Sequence, residues 1–299
     1  MTSRRTRALG QHLLTDERVA ERQVEYARLG PRDIVLEIGP GGGVLTRRIA
    51  PRVRRVVAIE RDRRFRPLLS DLPDNVEVIF ADALRVELPP FNKVVSNLPY
   101  SISSPITFRL LERDFELGIL MYQREFAERM CAPVGSPDYS RLSVEVYRRA
   151  ECRILEEVPP SAFSPQPEVS SAIVELRPRP CPFHVADGEL FSAVARALFS
   201  HRRKSVRNAL LSEAAALGGA LGRRVGAPSL EQDGWTRGGR VGTLRRDRVG
   251  ERDGAALFRR LLARALEQLE GVASLNERRA ENLSPEEIAR LANSLAELS

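Results

Sequence analysis

Short, almost wholly apolar runs separated by helical stretches constrain this chain most. Asp33-Ile34-Val35-Leu36-Glu37-Ile38, Arg55-Val56-Val57-Ala58-Ile59-Glu60, Asn75-Val76-Glu77-Val78-Ile79-Phe80, Lys93-Val94-Val95-Ser96 and residues 118–122 read as strands. Residues 44–49 read as the helix after the first of them. Strands that are apolar on both faces need cover on both faces, which is the arrangement of a parallel sheet flanked by helices. The fold class implied is α/β, a doubly wound Rossmann-like sheet that binds ligands at the carboxyl ends of its strands. Residues 141–147 and 172–176 read as later strands.

The pattern stops at Arg177-Pro178-Arg179-Pro180-Cys181-Pro182. A boundary there divides the chain into a domain of residues 1–180 and a smaller all-α domain of residues 181–299. Residues 190–199, 206–217, 255–269 and 285–298 read as amphipathic helices, and 218–250, rich in glycine and arginine, as loop. Ser284-Pro285-Glu286-Glu287 is a helix start, with a serine cap, proline at the first position and acids in the first turn.

No run among the 299 residues approaches the length needed to span a bilayer, and residues 1–14 lack the apolar stretch of a secretory signal. Cys131, Cys152 and Cys181 are far apart and odd in number, so the reading expects no disulfide framework and a reducing, cytoplasmic setting. His12, His184 and His201 lack ligand spacing with the cysteines, so no metal site is expected. The net charge is +7, and all basic residues except Lys93 and Lys204 are arginine, which suits bidentate phosphate contact. Arg202, Arg203, Lys204 and Arg207 form one basic cluster. Arg4, Arg5 and Arg7 form a second, and Arg237, Arg240, Arg245, Arg246 and Arg248 a third. Any one of these clusters alone reads more readily as a solvated face. As a set they suit a nucleic-acid backbone only if they accompany a site that works on a nucleobase.

The chemistry lies at the strand ends. Glu37-Ile38-Gly39-Pro40-Gly41-Gly42-Gly43 follows the first strand. Its G-x-G-x-G spacing, after an acid, suits a nucleoside methyl donor better than a dinucleotide. No lysine follows the glycines, which excludes a phosphate-cradling P-loop. Glu60 closes the second strand, where a carboxylate can accept two ribose hydroxyls. Asp82 follows the third strand and can accept a hydrogen bond from an adenine amine. Without a pyrophosphate to cradle, S-adenosylmethionine fits this set better than NAD.

Ser96-Asn97-Leu98-Pro99-Tyr100-Ser101-Ile102 ends the fourth strand. The exocyclic amine of adenine is a poor nucleophile because its lone pair is delocalised into the ring. Two acceptors on its N–H groups favour rehybridisation and turn the lone pair toward a methyl. The Asn97 side-chain oxygen and the Pro99 carbonyl can supply them, and the Tyr100 ring can stack on an extruded base.

With these residues in place, the chain resembles the KsgA family of ribosomal RNA adenine dimethyltransferases, in its archaeal and eukaryotic branch. The resemblance also runs through Gly10-Gln11-His12-Leu13-Leu14, Arg141-Leu142-Ser143-Val144, Val158-Pro159-Pro160-Ser161-Ala162-Phe163, Arg202-Arg203-Lys204 and the tail at 279–284. It implies an S-adenosylmethionine-dependent enzyme, a cytoplasmic monomer that dimethylates two adjacent adenosines near the 3′ end of small-subunit rRNA in 30S particles. It places Gln11, His12 and Leu14 over the methyl donor, with Gly39 and Gly41 below it. It sets Glu60 on the ribose, Asp82 on the adenine and Asn97 between donor and target, and stacks Phe163 on the target opposite Tyr100. His12 stands where many bacterial members have asparagine. A large-subunit rRNA methyltransferase of the resistance type and a non-catalytic ribosome assembly factor are the competing readings.

Overall fold

A computed structural model describes residues 12–214, 216–218, 262–263 and 273–297. The apolar runs form strands β2 (Ile34–Ile38), β3 (Arg55–Glu60), β4 (Val76–Phe80), β5 (Lys93–Asn97) and β6 (Leu117–Gln123). A two-residue strand β1 (Leu13–Leu14) precedes them. Strands β7 (Ala150–Val158), β8 (Phe163–Ser164) and β9 (Ser171–Pro178) follow. The main sheet has seven strands in the order β4-β3-β2-β5-β6-β9-β7. Strands β2 to β6 pair in parallel, with Ile38 opposite Ile59, Glu60 opposite Phe80 and Asn97 opposite Met121. That register lines up the carboxyl ends on one edge.

Helix α1 (Glu17–Tyr26) is capped by Asp16, whose side chain accepts from the Arg18 N–H. Val19, Ala20 and Val24 on α1 join Val35, Val56, Val95, Ile119 and Ile173 of the sheet in one core. Each of these valines and isoleucines, fully buried, contributes roughly 1.5–3 kcal/mol. Gln23 projects from α1 into this layer, and its Nε2 donates to the carbonyls of Ser96 (3.2 Å) and Ile119 (3.3 Å). This bond holds the segment leading into Asn97. The helix expected over 44–49 is α2 (Thr46–Ile49), and α3 (Ser103–Leu110) follows the Asn97–Tyr100 turn. Helix α4 (Arg124–Cys131) follows β6.

Three expectations change. The sheet is parallel only as far as β6: β9 runs antiparallel to both β6 and β7. The run expected as a strand over 141–147 is helix α5 (Arg141–Arg149). Its alternating Val144 and Val146 suggested a strand, but Glu145 sits buried with Arg148 and Arg149, three and four residues on, a pairing only a helix allows. The strand is instead the charged stretch after it, β7, which carries a bulge between Ile154 and Glu156 that spoils its period of two. The third change is covalent. Cys131 at the end of α4 and Cys152 in β7 are joined as a disulfide, with Cα atoms 5.5 Å apart. The pairing of α4 with the β7–β9 hairpin brings them together, and spacing in the sequence could not show it. Cys181 is free and exposed.

The chain divides into two compact units, Met1–Ala132 with Glu145–Cys181, and Pro133–Val144 with Pro182–Ser299. The second unit therefore takes in residues 133–144 as well as the stretch after the proline-rich boundary. Its described elements are α6 (Gly188–Ser200), α7 (Val206–Ser212) and α8 (Pro285–Ala296). Asp187 caps α6 by accepting from the Glu189 and Leu190 N–H groups. Ser284 and Glu287 form a reciprocal capping box at α8, with Pro285 just inside it. Tyr139 donates to the Leu283 carbonyl (2.9 Å), which fixes residues 133–144 within this unit. The expected helix over 255–269, apart from residues 262–263, and the loop after Gly218 lie outside the described residues.

Candidate active site

The turn after β2 needs glycine at three places: φ is +73° at Gly39, +55° at Gly41 and +78° at Gly43, all in the left-handed region. A Cβ on Gly41 would stand 2.9 Å from Cδ2 of Leu13, so this turn meets another segment with no room to spare. That segment is β1, which pairs antiparallel with β8, Leu13 opposite Ser164 and Leu14 opposite Phe163. The Thr15 and Asp16 N–H groups both donate to the Ala162 carbonyl, at 2.8 and 3.1 Å. One ribbon thus connects the glycine turn to Phe163.

Glu60, only 4% exposed, holds the turn from the side. One of its oxygens accepts from the Gly41 N–H (3.0 Å) and the other from the Asp62 N–H (2.7 Å). Burial raises its pKa, against the effect of these bonds. Glu37 lies deeper, 2% exposed, with Oε2 unpartnered among the described residues. Burial above all pushes its carboxyl up from the usual 4.5 to about 8, and the nearby charge of Glu60 adds to this. A carboxyl raised in the folded state favours folding while protonated, and loses that contribution as pH climbs from 4.5 through about 8. Glu37→Gln should therefore melt above the parent protein near pH ~9 and lose the lead near pH ~5. Thermal melts at both values check this, and an equal difference at the two would refute it.

At the end of β5 the Ser96 hydroxyl accepts from the Ile38 N–H (2.8 Å), locking β5 to the start of the glycine turn. Asn97 follows. Its Oδ1 is buried and has no hydrogen-bond partner among the described residues. The Pro99 carbonyl accepts from the Ile102 N–H (3.0 Å) and keeps a second lone pair. The Tyr100 hydroxyl shares a 2.6 Å bond with Ser171 Oγ, and burial raises its pKa. His12 lies over the Tyr100 ring, centroids 5.8 Å apart and planes inclined by 28°. The contact of His12 Nδ1 with the Pro165 carbonyl (2.8 Å) makes that nitrogen the donor.

One cavity takes in Gly39, Gly41, Glu60, Asn97, Pro99, Tyr100, His12 and Phe163. These residues come from five separate stretches of sequence. Asp82 is not among them: its carboxylate accepts from the Leu84 N–H (2.9 Å) in the turn after β4. Leu14 is buried in the core, and Leu13 faces the cavity in its stead, as the two-residue alternation of β1 requires. Gln11 lies outside the described residues. Phe65, Leu98 and Met121 also line the cavity. None carries a polar group that sequence reasoning could have flagged, although Met121 is the register partner of Asn97.

The basic cluster in the second unit splits by environment. The Arg202 guanidinium donates to Glu281 Oε2 (2.9 Å) and to the carbonyls of Pro137 (2.8 Å) and Ser136 (3.3 Å). It binds three segments of its own unit together. Arg203 and Lys204 are exposed, with Lys204 Nζ donating to Ser212 Oγ (2.8 Å). Arg207 is partly buried, and its N–H donates to the Asn276 carbonyl. The clusters at Arg4 to Arg7 and Arg237 to Arg248 lie outside the described residues.

A sheet of this order, with a positive-φ glycine turn and an acid on the neighbouring strand, defines a Rossmann-like methyltransferase. Residues 2–218 match the family model described as ribosomal RNA adenine dimethylase, and the chain belongs to that family. It is 53% identical over 205 residues to the probable ribosomal RNA small subunit methyltransferase A of Methanosarcina barkeri, covering 68% of this chain and 71% of that one. The protein of the same name from Methanococcus maripaludis is 46% identical over 220 residues, 72% and 84% of the two chains. Among solved structures, a dimethyladenosine transferase from Plasmodium falciparum superposes with a TM-score of 0.72 at 27% identity, over 96% of this chain and 98% of that one. The 23S rRNA methyltransferase ErmE superposes with 0.60 at 29% identity, over 95% and 99%.

Proposed function

We propose that this protein transfers methyl groups from S-adenosylmethionine to N6 of adenosines in small-subunit ribosomal RNA, two on each of two adjacent bases near the 3′ end. The observation that carries the reading is Asn97 Oδ1, a buried acceptor with no donor among the described residues, in one cavity with Pro99 and the rings of Tyr100 and Phe163. A buried acceptor left unpaired costs about 1–3 kcal/mol. An adenine N6–H pointed at it recovers that cost and directs the nitrogen lone pair away from both acceptors. Pro99 offers its second lone pair to the other N6–H. Tyr100 and Phe163 supply flat faces for a base taken out of its stack.

The donor fits the other half of the cavity. Gly39 and Gly41 let backbone approach it closely, and Leu13 covers Gly41. Each Glu60 oxygen keeps a lone pair for a ribose hydroxyl beside its backbone bond. Asp82, on the turn after β4, would take the donor's adenine amine. The donor supplies an electrophilic methyl on a cationic sulfur. The protein orients N6 against it and keeps water out, and the methylated nitrogen, briefly cationic, sheds its proton readily. Exposed Arg203 and Lys204 are the phosphate contacts assigned to the second unit.

Among the described residues no helix is long and apolar enough to cross a membrane. We assign the work to the cytoplasm, on 30S pre-ribosomal particles, by a monomer; the ribosomal substrate carries this assignment, not the cysteines, two of which are paired. The small-subunit substrate is favoured over the large-subunit one by relatives at 46–53% identity, against 29% for ErmE. The open acceptor on Asn97 favours an enzyme over a protein that only binds. Incubation with labelled donor and, in parallel, under-methylated 30S particles and unmethylated large-subunit RNA, followed by nucleoside analysis of each, tests the proposal. Label in N6,N6-dimethyladenosine of the small-subunit RNA is the expected result. Label confined to large-subunit RNA would establish the resistance-type activity instead, and no label on either would leave a binding role.

A further inference from the structure

The Tyr100 ring can present a base to the methyl only if it stands still, and its own turn does little to hold it. Tyr100 opens a three-residue 3₁₀ turn, with no side-chain cap before it. What fixes the ring arrives from elsewhere. Ser171, the first residue of β9, is fully buried at 0% exposure. Its Oγ meets the Tyr100 hydroxyl at 2.6 Å. Its backbone is gripped from both sides, paired with Gln123 of β6 and with Val158 of β7. The hydroxyl of Tyr100 is thus tied to a rigid point of the sheet, while one face of the ring is covered by His12.

We infer that Ser171 is a positioning residue for the methyl transfer: its hydroxyl sets the orientation of the Tyr100 ring and so of the target base stacked on it. This rests on the function proposed above, in which Tyr100 stacks on the base. Ser171 does not line the cavity, and it acts through Tyr100 alone. A plain structural role, satisfying a half-buried phenol, would show as lost stability. A positioning role shows as lost turnover at saturating RNA, because stacking geometry governs the approach of N6 to the methyl while affinity for the particle comes from phosphate contacts.

The test compares Ser171→Ala, Tyr100→Phe and the double variant, as full-length protein on under-methylated 30S particles. Each single variant deletes one end of the same bond and keeps the ring. The expected result is a fall of about 10- to 100-fold in single-turnover rate for each, with KM for the particle within about twofold of the parent. In the double variant the losses do not multiply, because there is only one bond to lose. Should Ser171→Ala fail to fold, Tyr100→Phe probes the bond from the cavity side. A rate within about twofold of the parent for Tyr100→Phe, or losses that multiply, overturns the inference. Tyr100→Ala separates the two layers of argument: if it turns over normally, the stacking role itself is wrong. If it is inactive while Tyr100→Phe is unimpaired, stacking stands and only the part given to Ser171 falls.

Discussion

Asn97→Ala should reduce methyl transfer by on the order of 10³-fold while leaving affinity for the 30S particle within about twofold. The size of the effect follows from chemistry at one atom. Deleting Oδ1 removes a pre-oriented acceptor from the nitrogen that must gain positive charge. The other acceptor, the Pro99 carbonyl, already takes a hydrogen bond from Ile102 and cannot shape N6 alone. The substitution also removes the unpaired buried acceptor, so the folded protein should be no less stable for its loss of chemistry. Single-turnover rates, filter binding and thermal melts measure the three quantities separately. A variant that retains a tenth or more of the parent rate would remove Asn97 from the role given to it.

Arg202→Ala should behave in the opposite way. It leaves the Glu281 carboxylate and the Pro137 carbonyl without this donor, takes one of two donors from the Ser136 carbonyl, which the Tyr139 N–H still serves, and loosens the turn after α6 from residues 133–144 and from the turn before α8. At a side-chain exposure of 36% the loss is moderated by water, and about 2–3 kcal/mol is expected, a drop of several degrees in melting temperature. Its effect on the salt dependence of RNA binding should be small, since this guanidinium is already spent within the protein. Arg203→Gln and Lys204→Gln should do the reverse, each lowering the slope of log affinity against log salt by about 0.7–0.9 with little change in melting temperature. A slope change for Arg202→Ala as large as for Arg203→Gln, with an unchanged melt, would return Arg202 to the RNA-facing set.

Arg202 also shows where reading a sequence stops. A run of basic residues reveals charge and conceals partners, and the partners here lie 65 and 79 residues away in the chain. The strands β2 to β6 were legible because a buried parallel strand is a short run rich in apolar β-branched residues, too short for a buried helix and bounded by turn residues. Residues 141–147 misled because Ser143 to Val146 are all buried, so this stretch of helix shows no polar stripe to mark its period, and β7 stayed hidden because its outer face is charged and its bulge breaks the period. The glycine turn, Glu60 and Asn97 were legible because their chemistry stands at strand ends, where the order of the strands predicts a shared edge. Leu13 and Ser171 were not. An apolar residue and a small hydroxyl acquire meaning only from what they touch, and both touch residues far away in sequence, Gly41 and Tyr100. The Cys131–Cys152 pairing was invisible for the same reason.

The cavity has a floor and a roof of unequal strength. Its floor is built on a seven-stranded sheet, whereas β1 covers Gly41 through a ribbon only two residues long. Local opening follows the number of contacts that must be given up, so this ribbon parts long before the sheet does. Amide protons in and beside β1 should exchange with solvent far sooner than those of β2 and β5. Traffic of small molecules to the glycine turn then needs no unfolding of the scaffold, only the brief lifting of a two-residue hem.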